Sequence, residues 1–166
     1  MVDNPGWLPP LILLQDYSAN EYLEVVYKVF EKDFEYSKPK FGNYVVKLKR
    51  HPLCDNKSAT FWHMISEGEV ESERIPDIRR CERIGWIKPI MEKFDPAQSS
   101  NDIAWWIEKK KGEERFHLAL MDFSYLVVVA IRKDFVLPWT AFLVEYEHQR
   151  RKLKKRYENY WRVKKS

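Results

Sequence analysis

The chain has 166 residues, 45% hydrophobic and 33% charged, with a formal net charge of +4. That length and apolar content can bury one core unaided, which excludes global disorder and leaves no room for a second full domain. The 2 cysteines, Cys54 and Cys81, lie far apart without a CxxC pair, against a zinc ribbon, a thioredoxin-type redox pair and a secreted disulfide framework, so a cytoplasmic setting is expected.

Met1 to Tyr17 holds no Lys or Arg, and its apolar run Leu8 to Leu14 is split by Pro9 and Pro10, so neither a signal peptide nor a transit peptide is expected. No apolar run approaches the roughly 18 residues of a membrane span, so no membrane partner is expected either. Ser18 and Asn20 are N-cap types, and Tyr22, Val25, Val26, Val29 and Phe30 recur at spacings of three and four, which predicts a helix over 19–36. Tyr44 to Lys49 reads as a strand. After the turn-rich His51 to Lys57, Ala59 to Ser66 reads as a second strand that pairs back, giving an N-terminal hairpin. Glu67 to Arg74 is acidic and loop-like; Pro76 then opens a helix over 77–84, and a further helical turn begins near Pro89.

Beyond a polar linker at 96–101, strands are predicted over 102–109, 113–121, 124–132 and 136–145, joined by turns short enough to force antiparallel neighbours. The third is apolar on both faces and belongs in the middle of the sheet. In the second, Phe116, Leu118 and Leu120 alternate with Arg115, His117 and Ala119, so one face packs and the other can be wet at one end. Pro138 places the last strand at an edge or in a bulge. From His148 to Ser166 there are 9 basic residues against Glu158 alone, leaving a net −4 elsewhere. Strong helix formers, beginning where apolar alternation stops, predict a basic C-terminal helix over 146–166. The expected whole is a single α+β domain over 1–166: a helical and hairpin half (18–95), a four-stranded antiparallel meander (101–145) and the basic helix, with helices packed at one side of the sheet.

The sequence has no P-loop, GxGxxG, HExxH or GxSxG, and no calcium loop. Its His, Arg, Tyr and Thr residues suit phosphodiester chemistry without a metal. RNA supplies its own nucleophile in the 2′-hydroxyl, so a base, an acid and donors for the phosphorane suffice. His63, in Thr60-Phe-Trp-His-Met64, places an imidazole within a hydrophobic strand, either as a tuned proton-transfer group or as a core histidine. His51 beside Arg50 either faces a phosphate from a strand end or is an ordinary surface residue. Arg79 and Arg83 stand one helical turn apart, spaced to grip one anion, although Glu82 lies between them. Thr140 and Tyr125 are ordinary strand formers unless they meet His63 on one concave surface. In the tail, Arg150, Arg151, Lys154 and Lys155 are expected to hold phosphates, with Tyr157, Tyr160 and Trp161 stacking bases or packing on the domain.

The ordered set Thr60-Phe-Trp-His63, Arg79-Arg-Cys-Glu-Arg-Ile-x-Trp86, Ser124-Tyr-Leu-Val-Val128 and Leu137-Pro-x-Thr-Ala-Phe142, followed by a basic helix, resembles the phage-associated barnase/EndoU/colicin/RelE-like (BECR-type) ribonuclease toxins. The resemblance covers roughly residues 18 to 160. It implies a helix before a four-stranded antiparallel sheet that carries the site. His63 would be the acid/base residue, Thr140 and Tyr125 its polar partners, and Arg80 or Arg83 the phosphate-neutralising cation. The implied activity is endonucleolytic cleavage of RNA, tRNA included, by 2′-hydroxyl attack that leaves a cyclic phosphate, with neither metal nor organic cofactor. The implied partners are RNA and a protein inhibitor, an antitoxin or immunity protein. His117 is a second strand histidine able to replace His63. The rivals are a noncatalytic RNA-binding or protein-interaction module that uses the basic helix, and a DNA-binding regulator. Enzyme and binder are distinguished by whether His63, Thr140 and one Arg line a common cleft.

Overall fold

The computed structural model describes residues 4–68, 74–98 and 101–165. As the apolar spacing predicts, Tyr22, Val26 and Phe30 are buried along one stripe of α1 (Ala19–Phe30), which runs on into a π-helical turn at Glu31–Glu35. Of the strand expected over 44–49 only β1 (Val45–Val46) forms. The turn before the next element closes between Cys54 and Lys57, with Asp55 and Asn56 both at positive φ. Asp and Asn tolerate that conformation better than most residues.

The N-terminal hairpin does not exist. Residues 59–65 form helix α2 (Ala59–Ile65), because Ser58 caps it by accepting a bond from the Phe61 amide, and because Phe61, Met64 and Ile65 fall at helical spacing towards the core. The Thr-Phe-Trp run favours a strand by propensity, but cap and spacing together outweigh it. Thr60 ties α2 to the chain after β1, its hydroxyl accepting from the Lys49 amide at 2.7 Å. β2 (Ser66–Glu67) follows and pairs antiparallel with β3 (Ile75–Pro76). The loop expected over 67–74 falls largely on 69–73, and part of the linker expected at 96–101 on 99–100, both outside the described residues. Pro76 ends β3 and does not open the next helix, α3 (Ile78–Glu82), which is capped by Asp77. A 3-10 turn, Ile84–Trp86, then leads into α4 (Ile87–Glu92).

The meander forms close to its expected bounds as β4 (Ile103–Lys110), β5 (Glu113–Leu120), β6 (Tyr125–Ile131) and β7 (Phe135–Leu143). The sheet is mixed, not purely antiparallel. Its order is β1-β7-β6-β5-β4, and β1 pairs in parallel with the start of β7. β6 is central and wholly apolar. Alternation divides the sheet cleanly: Trp105, Leu118 and Val127 belong to the inner core with α1, α2 and α4, while Trp106, Ala119 and Leu126 face the other way.

That second face is covered at one end by α5 (Glu147–Lys165), whose Leu153, Tyr157 and Tyr160 pack onto it. Helices therefore lie on both sides of the sheet and not on one. The aromatics of α5 account for this, because a helix with Leu153, Tyr157 and Tyr160 on one stripe needs an apolar surface to bury them. Trp161 fixes the far end, its indole N–H donating to the Trp105 carbonyl at 2.6 Å.

Candidate active site

The site begins with a register shift. Proline has no N–H to give the ladder, and β7 breaks step at Pro138: Val129 pairs with Pro138 but Val128 pairs with Thr140, which leaves Trp139 as the extra residue of a bulge. Without that residue Thr140 would turn to the inner core. With it, Thr140 shares a face with Val128, and Phe142 with Leu126, on the outer side of the sheet at the end α5 leaves open.

α2 and α3 bring their polar residues to the same place. The Arg80 guanidinium donates through Nη1 to the Thr140 hydroxyl at 3.1 Å and to the Ser66 carbonyl at 3.0 Å, and through Nη2 to Glu67 Oε1 at 3.2 Å. The Thr140 hydroxyl lies 3.5 Å from the His63 carbonyl, and the His63 imidazole meets the Trp139 indole edge-on, ring centroids 5.2 Å apart. Arg80 is largely buried over the Phe142 ring, whereas Glu67 is 64% exposed. An ion pair with so exposed a partner is weak.

These side chains line a cleft of about 730 Å³ whose walls include His63, Glu67, Arg74, Arg80, Arg115, Trp139 and Thr140, with Lys110 and Lys111 at the hairpin tip. Five Lys or Arg side chains and one carboxylate, Glu67, line the cleft, and one of the five, Arg115, is paired with Glu113 at 2.8 Å, which leaves the lining cation-rich. Burial lowers the pKa of the Arg115 guanidinium, yet an arginine remains a cation at neutral pH. His63 and Glu67 are the imidazole and the carboxylate that line the cleft.

Other expected site residues lie elsewhere. Tyr125 points into the inner core, where its hydroxyl donates to the Arg83 carbonyl at 3.4 Å and burial pushes its pKa up. Arg83 is buried against Trp86 and paired with Glu82 at 3.1 Å, and Arg79 bonds the same carboxylate at 2.9 Å. The anion expected between Arg79 and Arg83 is therefore Glu82 itself. Arg50 makes a two-pronged pair with Glu35, both bonds 2.9 Å, and His51 is exposed on the turn beside it. His117 stacks on Trp106 with its Nδ1 3.2 Å from the Arg115 carbonyl, and burial lowers its pKa. Arg150 anchors α5 by donating to the Val144 carbonyl at 2.8 Å, while Arg151, Lys154 and Lys155 project into solvent.

Sequence reasoning missed Glu67, Trp139 and the hairpin-tip lysines as cleft residues. The one available signal was Arg115, placed by alternation on the face opposite Phe116 at the wet end of its strand. Among the described residues no cluster of His, Cys, Asp and Glu has the makings of a metal site, and no helix is long and apolar enough to cross a membrane. Compared with known proteins, the chain matches no protein-family model, no curated protein and no solved structure.

Proposed function

We propose that this chain is a metal-independent endoribonuclease of toxin type, acting in the cytoplasm and held in check by a protein inhibitor. The observation behind this reading is the meeting of His63, Arg80 and Thr140 in one cation-rich cleft. These residues come from three of the four segments on which the resemblance to BECR-type ribonucleases rests.

In the proposed reaction the ribose 2′-oxygen attacks the adjacent phosphorus and the 5′-oxygen of the next nucleotide leaves, giving a 2′,3′-cyclic phosphate and a 5′-hydroxyl. One group takes the 2′-hydroxyl proton and another returns a proton to the leaving oxygen; His63 and Glu67 are suited to this pair of roles. Arg80 and Arg115 neutralise the charge that builds on the phosphorane, a task metals perform elsewhere. Thr140 holds the Arg80 guanidinium in place. Arg151, Lys154 and Lys155 on α5 grip the flanking phosphates.

A second reading, a noncatalytic RNA-binding or protein-interaction module, draws on the same hydrogen bonds. The links from Arg80 to Thr140 and from Thr140 to the His63 carbonyl tie α3, β7 and α2 together and so have a purely structural use. Incubating the protein with total cellular RNA in EDTA and mapping the new termini separates the two. The enzyme reading expects new 5′-hydroxyl and cyclic phosphate ends; RNA retained by the protein but left uncut supports the binder.

A further inference from the structure

The least expected residue of the cleft is Trp139, an exposed-side indole created by a bulge and surrounded by charge. Its ring meets the His63 imidazole at 5.2 Å and 61°, and it carries the Arg115 guanidinium at 5.1 Å, Arg132 at 5.7 Å and the Lys49 ammonium at 5.9 Å. An indole so occupied is a poor platform for a nucleobase. Its geometry suits a different task.

We propose that Trp139, held out of the ladder by the Pro138 bulge, is a positioning residue that sets the orientation of the His63 imidazole, while the Arg115 guanidinium over its ring is held by Glu113 at 2.8 Å. The inference rests on the endoribonuclease reading of the cleft. His63 sits in the last turn of the short helix α2, so its ring direction is fixed by what it packs against and not by a long rigid element. The indole edge provides that surface from β7, while the π-faces attract the cations. Pro138 makes the arrangement specific. It forces two residues of β7 into the space of one, so Trp139 and Thr140 are aimed together, one at the imidazole and the other at Arg80. A proton-transfer group misplaced by about 1 Å costs on the order of a hundredfold in rate, so an orienting contact of this kind registers in turnover.

The test compares Trp139→Leu, Trp139→Phe and His63→Ala for cleavage of a short RNA, with the His63 ring-proton signals followed by NMR. Trp139→Leu is expected to lower kcat roughly tenfold to a hundredfold, with KM within about twofold, and to move the His63 signals towards those of a free histidine. Trp139→Phe, which keeps an aromatic edge, restores most of kcat. Rates are referred to the folded fraction measured by thermal melting. An unchanged kcat and unchanged His63 signals in Trp139→Leu, with His63→Ala inactive, would overturn the positioning role while leaving the active site in place. Full activity in His63→Ala would remove the site itself, and the inference with it. If Trp139→Leu does not fold, nuclear Overhauser contacts between the His63 ring and the indole of the unaltered protein decide: their presence together with rescue in Trp139→Phe supports the role, and their absence overturns it.

Discussion

The outer face of the sheet has two ends, each with a histidine, and the helix that covers one end makes them different. At the α5 end His117 lies flat on Trp106, with Glu108 Oε2 3.8 Å from Nε2 and the rings of Trp106, Phe123 and Tyr157 packed together nearby. Water is displaced there, and desolvation lowers the imidazole pKa, which favours its neutral form. At the other end, among the described residues, α5 does not reach, and His63 lines a cleft with Arg74, Arg80, Arg115, Lys110 and Lys111. The two imidazoles, His117 on β5 and His63 on α2, thus sit in different surroundings. A buried, well-stacked histidine serves structure; the one at the edge of the charged cleft is the one to which the proposed function gives proton transfer.

The largest effect expected from disturbing this contrast follows Arg80→Ala, which removes the cation central to the open end. Turnover should fall about a hundred- to a thousandfold, as when a main oxyanion donor is lost, and the melting temperature should also drop because the Thr140 hydroxyl loses its donor and the Ser66 carbonyl one of two, Arg74 being the other. Turnover and melting of the same sample check both. Next in size is the joint replacement of Arg151, Lys154 and Lys155 by Gln. The slope of log affinity for RNA against log salt should flatten by roughly two to three units, read by filter binding across a salt series. An unchanged slope would assign the exposed side of α5 to another partner.

Smaller again is Thr140→Val. The change keeps β-branching but deletes an acceptor for Arg80, so about 1 kcal/mol of stability and a several-fold share of turnover should be lost together. Stability loss with unchanged activity per folded molecule would leave Thr140 a scaffold residue only. The smallest effect belongs to the closed end. Because burial holds the His117 pKa below its unfolded value of about 6.5, the unfolded chain takes up the proton first as pH falls. The contribution of neutral His117 is fully present above that pH and is lost as pH drops towards the folded pKa. Melting between about pH 7 and pH 5 should accordingly weaken more in the unaltered protein than in His117→Gln.

The meander could be read from sequence because its signals are local. The strand over 113–121 alternates, the turns are short, and the apolar stretch of β6 has a natural place only in the centre of the sheet. Even the bulge was foreshadowed, since Pro138 lacks the N–H the ladder requires. The segment 59–65 reads as a strand because seven residues are too few for periodicity to separate helix from strand and Thr, Phe and Trp favour a strand, while the Ser58 cap that decides for the helix lies outside that reading. Among candidate site residues, His63, Arg80 and Thr140 meet in space. Tyr125 and Arg83 do not, and the reason is parity: Tyr125 shares its face with Val127 and Val129, so the inner core takes it. Glu67 lies on a two-residue strand paired with Ile75, too short for an alternation pattern to announce it.

The claim that the open end is the reactive one is tested most directly by measuring single-turnover RNA cleavage in EDTA for His63→Ala and His117→Ala side by side, each referred to its folded fraction. The account expects His63→Ala to lose roughly a hundredfold or more in rate with little change in melting temperature, and His117→Ala to melt earlier while cleaving within about threefold of the unaltered protein. Loss of cleavage in His117→Ala with His63→Ala still active would contradict it and move the site to the end covered by α5.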